Sequence, residues 1–237
     1  MAICPAIKDE GVSIVKGDSA SVLKCLPPKS VDLAITDPPY GSKYFTNFRK
    51  KIQIKGMDGI ECDTAECILP KFKAVVDELD RVMKDDAHVY VFTRWDKVVD
   101  FYPIINAKFP IKNMIVVNKN NWSMGNLFGA YANKYEVILF GSKQNKHLNC
   151  IGNTCRHTDV IDVKRVSGNK QLHSHQKPDD LIDFLIDKSS LPGEKVIDPF
   201  VGSGTTCAAA KRRGRRCIGV DIDPESVRIA KKRVRDA

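Results

Sequence analysis

The chain has 237 residues, 43% of them apolar and 28% charged, with a formal net charge of +9. That length can bury a full core, and the composition is that of a globular protein rather than a disordered or fibrous one. The basic balance favours a polyanionic partner, nucleic acid ahead of a membrane surface, because no amphipathic basic helix stands out. No apolar run approaches a membrane span and no signal peptide opens the chain, so a cytoplasmic location without membrane contact is expected, with reduced thiols for the eight cysteines. His147, Cys150, Cys155 and His157 cluster in a polar stretch without zinc-type ligand spacing. A loop with buried or free thiols, and no metal, is expected there.

Val12 to Val15 reads as a strand, followed by a turn at Gly17-Asp18. Asp18 or Ser19 can cap a helix that Pro27-Pro28 ends. The apolar run Val31 to Ile35 predicts a buried strand, stopped by Asp37-Pro38-Pro39-Tyr40 because two prolines continue neither a ladder nor a helix. The residue before each proline is pushed to extended geometry, which makes a rigid elbow. Such an elbow suits a planar amine: Asp37 and the Pro38 carbonyl can accept its two protons while Tyr40 stacks on the ring. A plain turn with a solvated Asp is compatible with the same four residues.

Residues 42–60 interleave Lys43, Arg49, Lys50 and Lys51 with aromatic side chains. That mixture suits a nucleic-acid backbone and an unstacked base, and equally a solvated surface loop. From Pro70, placed near the first turn, Phe72, Val75, Val76, Leu79 and Val82 recur at helical spacing. A strand at Val89 to Phe92 precedes a helix from Trp95 to Tyr102, ended by Pro103. Ile111 to Val117 and Tyr135 to Phe140 are two more strands. Trp122, between them, can stack on a base or pack locally. Residues 142–176 are polar and weakly periodic, an excursion from the core. Pro178 opens a helix that ends near Pro192-Gly193. Strands alternating with helices predict an α/β fold with a parallel sheet covered on both faces.

The last fifty residues repeat that grammar with a ligand in view. A strand from Lys195 to Phe200 leads into Gly202-Ser203-Gly204, a helix from Thr205, and a strand ending at Asp221. Glycines at such a turn let a ligand approach the backbone, the helix start offers free N–H groups, and the terminal acid can accept from ribose hydroxyls. A dinucleotide is the weaker reading, because Cys207 occupies the third small-residue position and the unit closes the chain instead of opening it.

Asp37-Pro38-Pro39-Tyr40, then His173-x-x-x-Lys177-Pro178, then Asp198-Pro-Phe-x-Gly-x-Gly is an order that resembles the beta-class DNA amino-methyltransferases of the N(6)-adenine type. The resemblance runs from Gly17-Asp18 to the final helix. It implies a circularly permuted, doubly wound, mostly parallel seven-stranded sheet in one domain, residues 1–237, of the Rossmann-like class that uses S-adenosylmethionine (SAM). It assigns Asp37, Pro38, Pro39 and Tyr40 to catalysis. It assigns Asp37, His173, Lys177, Pro178, Asp198, Phe200, Gly202, Ser203, Gly204, Thr205 and Asp221 to the cofactor. Double-stranded DNA is the implied substrate, contacted by the 42–60 loop (Lys43, Arg49, Lys50, Lys51) and by a target-recognition segment within 118–176 that holds Trp122. A second copy of the chain and a cognate restriction enzyme are further partners that the family suggests.

In two respects the chain departs from the pattern: His175 stands where a small residue is frequent, and the target-recognition segment is short. The implied reaction flips an adenine from the duplex and holds its amine on Asp37 and the Pro38 carbonyl. Cytosine N(4) is the nearest alternative target, although Asp at the first motif position leans to adenine. An RNA adenine enzyme and an idle DNA-binding module of the same fold are more distant readings. The basic run Lys211, Arg212, Arg213, Arg215 and Arg216 can touch phosphates or form a solvated helix end.

Overall fold

A computed structural model of the chain describes residues 7, 11–40, 65–119, 129, 131–163 and 178–237. The loop expected to contact DNA at 42–60 lies outside the described residues, as do Trp122, His173 and Lys177.

An eight-stranded sheet carries the fold, in the order β1-β8-β7-β2-β3-β5-β4-β6. Its strands are β1 (Val12–Lys16), β2 (Val31–Thr36), β3 (Met83–Thr93), β4 (Ile111–Lys119), β5 (Tyr135–Ser142), β6 (Val160–Val163), β7 (Lys195–Asp198) and β8 (Arg216–Asp221). The run β1, β8, β7, β2, β3 is parallel throughout, and β5 pairs antiparallel with both β3 and β4. The helices are α1 (Ser19–Lys24), α2 (Ala65–Val82), α3 (Val98–Asn106), α4 (Asp179–Ser189), α5 (Thr205–Arg212) and α6 (Pro224–Asp236). Apolar side chains of α1, α2 and α3 pack on one face of the sheet and those of α4, α5 and α6 on the other. β2 is buried along its whole length, which is why it reads as apolar on both faces instead of alternating, with Asp32 as its one charged residue.

The seven-stranded expectation is corrected to eight among the described residues. The additional strand is β6, inside the stretch read as a weakly periodic excursion from the core, where Val160 to Val163 pair parallel with Val116 to Lys119 at the sheet edge. Four residues with a single buried side chain leave little periodicity to detect.

Both prolines expected at helix boundaries lie inside helices. Pro70 sits in the second turn of α2, which starts earlier than its sequence suggests. Pro103 lies within α3 because Phe101 and Ile105, on either side of it, are anchored in the core. Pro103 cannot donate to the carbonyl of Val99, but Val99 is 77% exposed, so water can serve that carbonyl.

The expectation of reduced thiols is also corrected. Cys150 and Cys155 form a disulfide across a small loop, and Cys25 and Cys67 are disulfide-bonded too. Among the described cysteines only Cys207 and Cys217 are free, both buried. No helix among the described residues is long and apolar enough to cross a membrane.

Candidate active site

In an open parallel sheet, the ligand crevice opens where strand order reverses, beyond the carboxyl ends of the strands. Here that place lies between β7 and β2. Ala34 is paired with Ile197, so three residues on, the chain reaches Asp37 on one strand and Phe200 on the other. Buried Asp32 braces this junction at the opposite end. It accepts from the Lys195 N–H at 2.9 Å and pairs with Lys84 of β3 at 2.5 Å. The elbow and the glycine turn, more than 160 residues apart in sequence, are therefore neighbours.

In the elbow itself, Pro38 is buried while Asp37, Pro39 and Tyr40 are half-buried. The Tyr40 hydroxyl donates to Asp37 Oδ1, and the edge of its ring meets Phe101 of α3 with centroids 6.2 Å apart. Burial, reinforced by the Asp37 carboxylate, raises the Tyr40 phenol well above its ordinary value, so it is a hydrogen-bond donor at any physiological pH. The ring was expected to stack on a substrate; the structure gives the residue a second task, holding the carboxylate.

At the glycine turn, Gly202 and Gly204 both have positive φ, 47° and 82°. They are needed for different reasons. A Cβ at Gly204 would lie 2.8 Å from Ala230 Cα of α6, whereas one at Gly202 would approach nothing nearer than the Phe200 carbonyl, at 4.0 Å. Gly204 is a packing glycine, and Gly202 keeps space open. No side chain caps the start of α5, so its first N–H groups face the turn without a capping partner of their own. Buried Ser203 and Thr205 line the same bend, with their hydroxyls 3.4 Å apart.

Asp198 is fully enclosed. It accepts from the Phe200 N–H at 3.1 Å and from the Thr206 side chain. Burial, with added repulsion from Asp37 and Asp221, pushes its carboxyl up to about 7. Asp221 accepts from the Gly202 N–H and the Asp223 N–H, both at 2.9 Å, and burial raises its carboxyl also. Its oxygens already hold the turn in shape. Since an ionised carboxylate offers about four lone-pair sites, hydrogen bonds from a ligand remain compatible with that work.

Sequence reasoning missed Ser19. Asp18 is the cap of α1, accepting from the Ser21 N–H at 2.9 Å, which frees Ser19 for another partner. Its hydroxyl donates to the Pro199 carbonyl at 2.5 Å, and the Gly17 N–H donates to the Asp221 carbonyl at 2.9 Å. The turn after β1 is thus stitched to the glycine turn. The signal was a second polar residue behind a competent cap. Pro178 stands immediately before α4.

The basic run is committed elsewhere. Arg212 pairs with Asp183 at 2.9 Å, Arg213 and Arg215 pair with Asp187, and Lys211 reaches the last carbonyls of α6. These groups lie at the end of α5 and the start of β8, at the end of the strands opposite Asp37.

Comparison with known proteins agrees with this geometry. Residues 31–232 match a family model described as DNA methylase. The type II methyltransferase M.HinfI of Haemophilus influenzae is 30% identical, over 94% of this chain and 68% of its own length. The DNA adenine methyltransferase YhdJ of Escherichia coli K12 is 28% identical, over 95% and 83%. A crystal structure of an M1.HpyAVI–SAM complex superposes with a TM-score of 0.70 at 24% identity, covering 94% of this chain and 98% of that one. With its elbow and glycine turn brought together by adjacent strands, this chain belongs to the DNA methylase family.

Proposed function

We propose that the protein transfers a methyl group from SAM to the exocyclic amine of an adenine flipped out of double-stranded DNA. One observation carries the reading furthest. Three carboxylates, Asp37, Asp198 and Asp221, stand at the ends of adjacent strands around the Gly202–Gly204 turn, and Asp198, its carboxyl raised chiefly by burial, also feels the charges of the other two. Acids so arranged repel one another until a cation enters. SAM fits that demand: it carries positive charge at its ammonium and sulfonium centres. The missing Cβ at Gly202 and the uncapped start of α5 offer room and donors to its remaining atoms.

When bound, SAM supplies a methyl group already activated by its sulfonium. The chain's own residues have to place and prepare the nucleophile. An adenine amine is weak because its lone pair is delocalised into the ring. Asp37 and the Pro38 carbonyl accept its two N–H groups, which favours a tetrahedral nitrogen with the lone pair directed to the methyl. Tyr40 fixes the Asp37 carboxylate in the orientation this requires. As the methyl passes to the nitrogen its bond to sulfur would break, releasing the neutral thioether S-adenosylhomocysteine, and the nitrogen would lose one proton toward Asp37. Positioning of this kind can supply much of the acceleration. Flipping costs a few kcal/mol, which contacts in the pocket offset.

In this reading residues 1–237 act as one methyltransferase domain in the cytoplasm, with DNA contacts from 42–60 and 118–176 and donor contacts from His173, Lys177 and Pro178. A second copy and a restriction enzyme remain candidate partners, suggested by the family alone. Duplex DNA incubated with the protein and labelled SAM, then digested to nucleosides, should yield labelled N(6)-methyladenine by mass analysis. Label in N(4)-methylcytosine would favour the cytosine alternative, and unlabelled DNA would contradict methyl transfer.

A further inference from the structure

Trp95 is 59% exposed, yet the turn that bears it is firmly held. Arg94 forks onto Asp96 with two bonds of 3.0 Å, the Lys97 N–H donates to the Arg94 carbonyl at 3.0 Å, and the Lys97 side chain pairs with Asp100 at 3.3 Å. The turn follows directly on β3, whose Val91 is paired with Thr36, so it leaves the sheet beside the elbow. Two further facts place it at the lip of the site. The charge of Arg94 is felt by the Tyr40 hydroxyl, and the Phe101 ring that Tyr40 packs against belongs to the helix that continues this turn.

The indole does not stand alone: Val99 and Tyr102, four and seven residues further on, are also exposed, and a set of exposed large apolar side chains on an anchored backbone marks a contact. Its flat face suits stacking on an unpaired base, while the neighbouring Arg94 and Lys97 are taken up by Asp96 and Asp100 and serve to fix the turn. When a target base leaves the duplex, its neighbours lose a stacking partner and offer such a face. We infer that Trp95 is a DNA-contacting residue that stacks on a base exposed by opening of the duplex. The inference rests on the methyl-transfer reading above and adds to it a residue on the DNA side of the pocket.

The test compares wild type with Trp95→Ala and Trp95→Phe, using labelled SAM and duplex DNA. Trp95→Ala should raise KM for DNA roughly tenfold or more while SAM affinity is unchanged, and Trp95→Phe, which keeps a flat ring, should stay within about threefold of wild type. Because the side chain is exposed, both variants should melt with the wild type. A second readout is independent of turnover. Trp95 and Trp122 are the only tryptophans in the chain, so the emission lost between wild type and Trp95→Phe belongs to Trp95, and saturating duplex should quench that difference. An unquenched indole, or a Trp95→Ala enzyme with wild-type KM, would overturn the inference. A change confined to sedimentation would also overturn it, since that assigns the indole to a contact between copies. Wild type that quenches but transfers no methyl would contradict the underlying reading and leave the stacking intact.

Discussion

The Tyr40 hydroxyl donates to Asp37 Oδ1, so the two polar side chains of the elbow are held by each other. This bond can be removed without touching the ring. Tyr40→Phe should lower the rate of methyl transfer roughly tenfold, the order of one charge-assisted hydrogen bond, with SAM affinity unchanged. Single-turnover kinetics beside a calorimetric SAM titration would check it. If the ring alone matters, Tyr40→Phe will match wild type and only Tyr40→Ala will fail.

Asp221 and Ser19 shape the donor site from two sides. Asp221→Ala removes the acceptor of the Gly202 N–H and should weaken SAM binding tenfold or more, by the same kind of bond arithmetic. Ser19→Ala frees the Pro199 carbonyl and should weaken SAM binding a few-fold, while costing about 1 kcal/mol of stability. Turnover at saturating SAM should change little in either variant. Unchanged dissociation constants would remove both residues from the donor site.

Two buried groups bend the pH dependence of stability in opposite directions. The Asp198 carboxyl is raised to about 7 by burial, so between about 4 and 7 the folded state holds a proton that the unfolded state releases. Its contribution is therefore fully present at low pH and is lost as pH rises through 7. His88, buried between Ser189 and the Lys146 carbonyl, is lowered to about 4 by burial. It favours unfolding as pH falls from about 6.5 toward 4. Asp198→Asn should gain stability relative to wild type as pH rises from 4 to 7, by up to about 4 kcal/mol if the whole shift is expressed. His88→Gln should lose the acid-side sensitivity. Denaturant melts at several pH values test both signs. Cation binding next to Asp198 should also release protons near pH 6.5, visible as a buffer-dependent enthalpy of SAM binding.

The arginines at the foot of α5 hold the fold and are not expected to hold DNA. Arg213→Gln should leave the salt dependence of DNA affinity unchanged, because Arg213 is paired with Asp187 at the end of the strands away from Asp37. Its stability cost should be within about 1 kcal/mol, as for other exposed ion pairs. A shallower salt slope in this variant would return the run to the DNA interface.

The parts of the site that were legible in the sequence are those written in local grammar. Val31–Ile35 followed by two prolines can only be a strand that stops, and the glycine turn between Asp198 and Thr205 needs positive φ at two places. That β7 lies beside β2 is not written in either segment and is seen only in the Ala34–Ile197 pairing. What escaped depends on distant partners. Ser19 read only as an alternative to Asp18 for the cap because its bond to Pro199 spans 180 residues. The basic run read as free charge because Asp183 and Asp187 lie on another helix. Pro103 read as a stop because the pull of Phe101 and Ile105 into the core is tertiary. The position of Cys207 was legible and its reason is now visible. A Cβ on Gly219 would come within 2.7 Å of its sulfur, so α5 sits on β8 as closely as a small residue allows.

The most direct measurement pairs turnover with donor affinity in Asp37→Ala. If the elbow prepares the amine while the glycine turn holds the donor, labelled methyl will disappear from DNA, with the SAM dissociation constant within a few-fold of wild type. Methyl transfer that survives the loss of Asp37 would contradict the account at its centre.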